Sequence, residues 1–196
     1  MSVPIRFSRF MLVAAICHAA YAQDVPAAMQ SDMRVDVRHE GNAVLIDVSM
    51  PVNASPRQVW QVLTDYNHMA SFFPGINSSK AIQQSPDRIR VEQTGVVNFG
   101  PLRFPFESVR DVKLQPYQEI RSEAVGGTIT SGFAHTRLIE RGNATIIEYR
   151  SESVPNIRLP FGLGLNTVAA RTREQFAQLR QEIYRRMETT AHTSGK

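Results

Sequence analysis

The chain has 196 residues, 42% hydrophobic and 20% charged, which suits one globular domain with a sizeable core and excludes a disordered polypeptide. The formal charge is +4, but residues 1–22 hold two arginines and no acid, so the remainder carries only +2. With so small an excess, and no dense Lys/Arg stripe interleaved with aromatics, nucleic acid is not an expected partner.

The first residues, MSVPIRFSRFMLVAAICHAAYAQDVP, have the order of a bacterial secretory signal. Arg6 and Arg9 give the positive start, Phe10 to Cys17 the short apolar run, and Ala20-Tyr21-Ala22 the small-x-small cleavage site. Residues 1–22 are therefore expected to be removed, leaving Gln23 as the mature N-terminus of a periplasmic or secreted protein. The apolar run is too short for a membrane span, and the bulky Ile16 before Cys17 argues against a lipid anchor there. The only Cys leaves with the signal, so the mature chain has no disulfide or thiol chemistry and must be held by its core. Residues 23–32 read as a leader, 33–190 as the folded domain and 191–196 as a disordered tail.

From Met33 the pattern alternates. RVDVRHE, then Gly41-Asn42, then AVLIDVSMPV reads as a hairpin, with Val35 and Val37 and then Val44, Ile46 and Val48 on one buried face. SPRQVWQVL follows with the marks of a helix start. Ser55 is the cap, Pro56 takes the first helical position, and Gln58 completes a capping box. Asp65-Tyr66-Asn67 breaks that helix, and HMASFF makes a second short one stopped by Pro74-Gly75.

Six strands follow: KAIQQ, RIRVEQTGVVNF, LRFPFESVRDVKLQ, EIRSEAV, ITSGFAHTRLIE and ATIIEYRSESV. Short turn-like stretches separate them, which implies an antiparallel meander. A long helix from about Leu165 to Met187 closes the chain. Val168, Thr172, Phe176, Leu179, Ile183 and Met187 form its apolar stripe, and Arg171, Arg173, Arg180, Arg185 and Arg186 are expected off it. The fold class is therefore α+β: a curved antiparallel sheet wrapped around a long C-terminal helix, with two short helices after the first strands. The gap between sheet and helix is where a ligand would sit.

In three stretches the chain resembles the START-related helix-grip superfamily, and within it the polyketide cyclase/dehydrase and coenzyme-Q-binding type of domain. These are VNASPRQVWQVLTDYNHMASFFPGI, RVEQTGVVNFGPLRF, and ATIIEYRSESVPNIRLP with the closing helix. The family's Val-Trp-x-Val-Leu-x-Asp-Tyr pattern stands here as Val59, Trp60, Val62, Leu63, Asp65 and Tyr66, with Phe73-Pro74 after it. Where many members carry Gly-x-Trp-x-Leu, this chain reads Ala134-His135-Thr136-Arg137-Leu138, so Thr136 replaces the Trp. The resemblance covers about residues 43 to 188 and implies the helix-grip fold. It also implies binding of lipids, isoprenoid quinones, polyketides or hormones, with catalysis in only some members.

Period-two reading of the strands places Ile89, Val91, Gln93, Phe104, Phe106, Ser108 and Arg110 inward, and likewise Ala134, Thr136, Leu138, Ile147, Tyr149 and Ser151. From these, the expected ligand-binding set is Val91, Gln93, Phe104, Phe106, Arg110, Thr136 and Tyr149, with Phe73 and Phe161 on loops at the mouth. An inward Arg110 requires an acidic partner or a ligand oxygen. Glu92 and Glu107 fall on outward faces, so no acid/base dyad is formed from them. His39, His68, His135 and His192 are not spaced as metal ligands, and no phosphate loop, nucleophile elbow or cofactor motif is present, so no metal, cofactor or catalytic residue is expected.

The leading expectation is an exported carrier of a small hydrophobic ligand, lipid-like or isoprenoid, with transient contact to a membrane surface and no protein partner that the sequence can name. The alternatives are a polyketide-type cyclase or dehydrase, and an interaction module whose interior is filled by its own side chains. N-terminal sequencing of periplasmic protein is expected to begin at Gln23; a chain that still began at Met1 would contradict the signal.

Overall fold

The computed structural model describes residues 32–99, 102–155 and 164–194. Strands β1 (Arg34–Glu40) and β2 (Ala43–Val52) form the first hairpin, paired from Arg34↔Ser49 to Glu40↔Ala43. Gly41 turns it with φ at +58°, a region a residue without Cβ enters freely. Helix α1 (Pro56–Leu63), a 3₁₀ turn (Tyr66–His68) and α2 (Met69–Phe72) come next. The expected capping box is formed: the Ser55 amide donates to Gln58 Oε1 at 2.9 Å, and the Gln58 amide donates to Ser55 Oγ at 3.4 Å.

Strands β3 (Ile76–Ser85), β4 (Arg88–Phe99), β5 (Leu102–Gln115), β6 (Glu119–Gly127), β7 (Ile129–Arg141) and β8 (Ala144–Pro155) run as a meander, and α3 (Leu165–Ser194) closes the chain. The strands make one antiparallel sheet in the order β1-β2-β8-β7-β6-β5-β4-β3. β2 pairs with β8, so the N-terminal hairpin is annexed to the end of the meander. This is the expected helix-grip arrangement. α3 runs beyond the expected end at Met187 and takes in residues 191–194, assigned above to the tail.

The main core lies where α1 and α3 meet the inner face of β2 and β8. Val48, Met50, Val52, Val59, Val62, Ile147, Ala177, Leu179 and Ile183 are all 4% exposed or less. Each large aliphatic chain buried to that degree contributes about 1.5 to 3 kcal/mol. A smaller cluster of Ile89, Val91, Val112 and Ile120 lies under Trp60, Leu63 and Tyr66 of the short-helix segment. Leu63 touches both clusters.

One expectation about α3 is corrected. Arg180 is not off the buried stripe: it is 3% exposed. Its Nη1 donates to Asp32 Oδ1 at 2.7 Å and to the Pro51 carbonyl at 3.2 Å, while Nε and Nη2 are buried without a partner among the described residues. The reason is its spacing, four residues after Phe176 and three before Ile183, which puts its long aliphatic stem in the packed seam. Arg180→Ala is expected to cost about 2 kcal/mol through lost packing and hydrogen bonds, and Arg180→Met, which fills the space without orphan donors, to stay within about 1 kcal/mol of the parent. Arg171→Ala, on the exposed face, should shift stability by less than about 0.5 kcal/mol. Urea unfolding of the three variants checks this ranking.

Candidate functional site

The inner face of the sheet is covered unequally. α3 packs against β1, β2 and α1. Across β5, β6 and β7, the inward Phe106, Ser108, Arg110, Ser122, Ala124 and Ala134 are only half-buried. The candidate site is this less covered inner surface, bounded by Tyr66 on one side and by the Tyr149–Phe176 contact on the other.

Arg110 points inward from β5, opposite Val91 on β4 and Ala124 on β6. An irregularity occurs between Val109 and Arg110, but the additional residue, Val125, is on β6. β5 therefore keeps its alternation and Arg110 keeps its face. Its Nε donates to Ser122 Oγ at 3.0 Å and its Nη2 to the Ser122 carbonyl at 3.3 Å. Among the described residues no carboxylate forms an ion pair with it. Burial lowers the guanidinium pKa, against the pull of Tyr149 and Tyr66 toward the charged form. An arginine stays protonated under such a perturbation. Burial also pushes the Tyr66 phenol well above its ordinary range, with Arg110 opposing it. The site is thus one fixed cation beside the phenols of Tyr66 and Tyr149 on an otherwise largely apolar wall.

Other expected site residues surround this centre at different distances. Thr136, 9% exposed, pairs across the sheet with Tyr149, whose ring lies 5.3 Å from that of Phe176. Val91 is 3% exposed and belongs to the cluster beneath Tyr66. Gln93 donates to Ser79 Oγ at 3.0 Å and contacts Met69 Sδ at 3.4 Å, tying β4 to β3 and α2. Phe106 and Phe104 stand four and six residues along β5, roughly 14 and 20 Å from Arg110 at strand rise, so they line the far end and do not touch the cation. Phe106 lies across Gly95, where a Cβ would come within 2.5 Å of its ring and 2.1 Å of the Gly75 carbonyl oxygen. Only a glycine permits that approach. Phe73 packs against the main core beside Phe72 at 5.0 Å. Phe161 lies outside the described residues.

Two participants were missed from the sequence. Ser122, which anchors Arg110, was signalled only by alternation in EIRSEAV, where it follows Ile120 by two. Tyr66 read as core. Among the described residues no group of three or more His, Cys, Asp or Glu is placed to hold a metal ion.

The short-helix segment that borders the site is fastened to α3 by charge. Arg186 Nη2 lies 2.8 Å from Asp65 Oδ2, and its Nε lies 2.7 Å from Glu182 Oε1. Glu182 also binds Arg185 at 2.6 Å, His68 Nδ1 lies 2.6 Å from Asp65 Oδ1, and the Arg186 guanidinium sits 5.3 Å from the centre of the Phe72 ring. Hydrogen bonding to Arg185, and then to Arg186, holds Glu182 below its usual range against the opposing effect of burial. For Asp65 burial opposes ionisation, but His68 and Arg186 outweigh it and the pKa again falls.

Two depressions lie elsewhere, one of about 800 Å³ and one of about 460 Å³, on the outer face of the sheet, and Arg121 and His135 line both.

Residues 52–177 match the sequence profile of the family described as polyketide cyclase / dehydrase and lipid transport, and the chain belongs to that family. Among solved structures, a STAR-related lipid transfer protein fragment from Xanthomonas axonopodis is similar at 15% identity and a TM-score of 0.67, over 79% of this chain and 94% of that one. The Zhui aromatase/cyclase from a Streptomyces species is similar at 14% identity and 0.59, over 74% and 96%. A START superfamily protein from Mycobacterium smegmatis is similar at 11% identity and 0.58, over 72% and 97%. Likeness at such identities shows the fold. No curated protein matches the sequence.

Because Asp65 and Glu182 titrate lower in the folded chain, their contribution is complete above the ordinary carboxylate range, about pH 4, and is lost as pH falls through their folded values. Glu182→Gln is expected to lower stability at pH 7 and to flatten the decline between about pH 5 and pH 2. Urea midpoints measured across that range read the difference.

Proposed function

We propose that this protein is a carrier for a small hydrophobic ligand, lipid-like or isoprenoid, held against the inner face of β4 to β8, with its oxygen-bearing head group at Arg110. The observation that carries the reading is a half-buried, inward guanidinium whose hydrogen-bonded partner is Ser122, with no carboxylate paired to it among the described residues. A cation so placed attracts an anionic or carbonyl oxygen, and its remaining donors supply the directional bonds. Tyr66 and Tyr149 can add hydroxyl contacts. The apolar remainder, Val91, Phe106 and Phe176, suits a hydrocarbon body. On the Arg6/Arg9 start and the Ala20-Tyr21-Ala22 site, we place this work outside the cytoplasm.

A cyclase or dehydrase is the second reading, favoured by the same cation beside two phenols, which could polarise a ligand carbonyl. Among the described residues no carboxylate is paired with Arg110 to move a proton.

Phe106→Ala is expected to weaken an apolar probe by about 1 to 3 kcal/mol through lost contact area. Arg110→Gln should weaken a fatty-acid anion and spare its neutral hydrocarbon analogue. Titration of both variants with both probes checks this. Equal responses of acid and hydrocarbon to Arg110→Gln would sink the head-group assignment. Turnover of a polyketide-like substrate, abolished by Tyr149→Phe with binding intact, would promote the enzyme.

A further inference from the structure

The outer face of the sheet carries a row of basic side chains that the strand register assembles from distant parts of the chain. Arg150 on β8 is opposite His135 on β7, His135 is opposite Arg121 on β6, Arg121 is opposite Lys113 on β5, and Lys113 is opposite Arg88 on β4. Five neighbouring strands thus contribute one basic group each, over roughly 19 Å at ordinary strand spacing. Like charges directly opposite one another are unfavourable in a sheet, and here Arg121 faces Lys113 and Lys113 faces Arg88 in two successive cross-strand pairs.

Neutralisation within the chain is partial. Glu119 serves both His135 at 2.8 Å and Arg121 at 2.9 Å. Asp47 lies 3.8 Å from Arg150 but is held more closely by Arg38, at 2.6 Å. Among the described residues neither Lys113 nor Arg88 is in an ion pair, and both are exposed.

The shape of the surface narrows the choice of partner. The basic row is the common wall of the two outer depressions, which share Arg121 and His135. In the one spanning β4 to β7, Arg88, Lys113 and Arg121 face Asp111, Glu123 and Phe133 across a floor of strand backbone at Val112, Ser122 and Ala134, whose side chains belong to the inner face. Phe133 is 42% exposed. Asp111 is already engaged by Arg90 at 2.8 Å. A broad anionic plane, such as a lipid surface, would meet the carboxylates of Asp111, Glu123 and Glu119 together with the cations. A narrow segment can lie along the basic wall alone and set an apolar side chain on Phe133.

We infer that this trough is a docking site for an extended acidic segment of a partner protein, with its carboxylates on Arg88, Lys113 and Arg121 and one apolar side chain on Phe133. The site faces away from Arg110, on the opposite side of the same sheet, so docking and ligand binding use separate surfaces.

A fluorescein-labelled eight-residue peptide of alternating Glu and Ser with a central Phe, titrated by anisotropy into the mature chain, tests the inference. Binding is expected in 50 mM salt and should weaken at least tenfold in 200 mM salt. It should also weaken at least tenfold in the Arg88→Gln/Lys113→Gln double variant and severalfold in Phe133→Ser. A Gln-for-Glu peptide should not bind, and a fluorescent fatty acid should bind all variants as it binds the parent. Absence of peptide binding, or binding indifferent to Arg88 and Lys113, overturns the inference. So does capture of a sulfated oligosaccharide, an oligonucleotide or anionic vesicles through these residues when the peptide fails. None of these outcomes bears on Arg110, whose test is the fatty-acid titration.

Discussion

A single helix cannot cover an eight-stranded sheet. Eight strands at about 4.8 Å span well over 30 Å, whereas a helix with its side chains is about 10 to 12 Å wide. α3 is therefore committed to one part of the inner face, over β1 and β2 beside α1, and the rest of the design answers that commitment. The short-helix segment covers the β3–β4 flank through Trp60, Leu63 and Tyr66. Between these two covers lies the partly open stretch of β5 to β7 that holds Arg110.

The position of α3 is fixed by contacts at several places along its length. Arg173 reaches the Val35 carbonyl, Arg180 the Asp32 carboxylate and Pro51 carbonyl, Tyr184 the Asn53 amide, and Arg186 the Asp65 carboxylate. These bonds join the helix to β1, to the end of β2 and to the 3₁₀ turn. Apolar packing supplies most of the energy, and the directional contacts set the register in which it is applied. The same arrangement keeps Arg186 on Asp65, away from the inner sheet, so Arg110 remains the cation that faces the candidate site.

Much of the fold was legible because local chemistry and global topology agree. The Gly41 turn, the Ser55–Gln58 cap and the Pro74-Gly75 stop are complete within a few residues. Strand alternation placed Arg110 correctly because the bulge fell on Val125 and left β5 undisturbed. Arg180 was misplaced because its charge spoke against burial while its spacing spoke for it, and spacing prevailed. Ser122 looked unremarkable because its importance depends on which residue of β5 lies across from it. The basic outer row could not be read at all: Arg88, Lys113, Arg121, His135 and Arg150 are scattered along the chain, and only pairing through five strands makes them neighbours.

The pairing of β2 with β8 has a consequence for how the molecule comes into being. Val44 meets Ser153, about a hundred residues later in the chain. The first hairpin therefore has no lateral neighbour until the last strand exists, and the β2–β8 seam cannot be made before then. A growing chain can assemble the β3–β7 meander piecemeal, yet it cannot seal Met50 and Val48 against Ile147 and Tyr149 before nearly all of the domain has been synthesised. Contacts so distant in sequence slow folding, since loop closure must precede any gain from them. Such a chain stays pliable for most of its synthesis and becomes a single cooperative body only at the end.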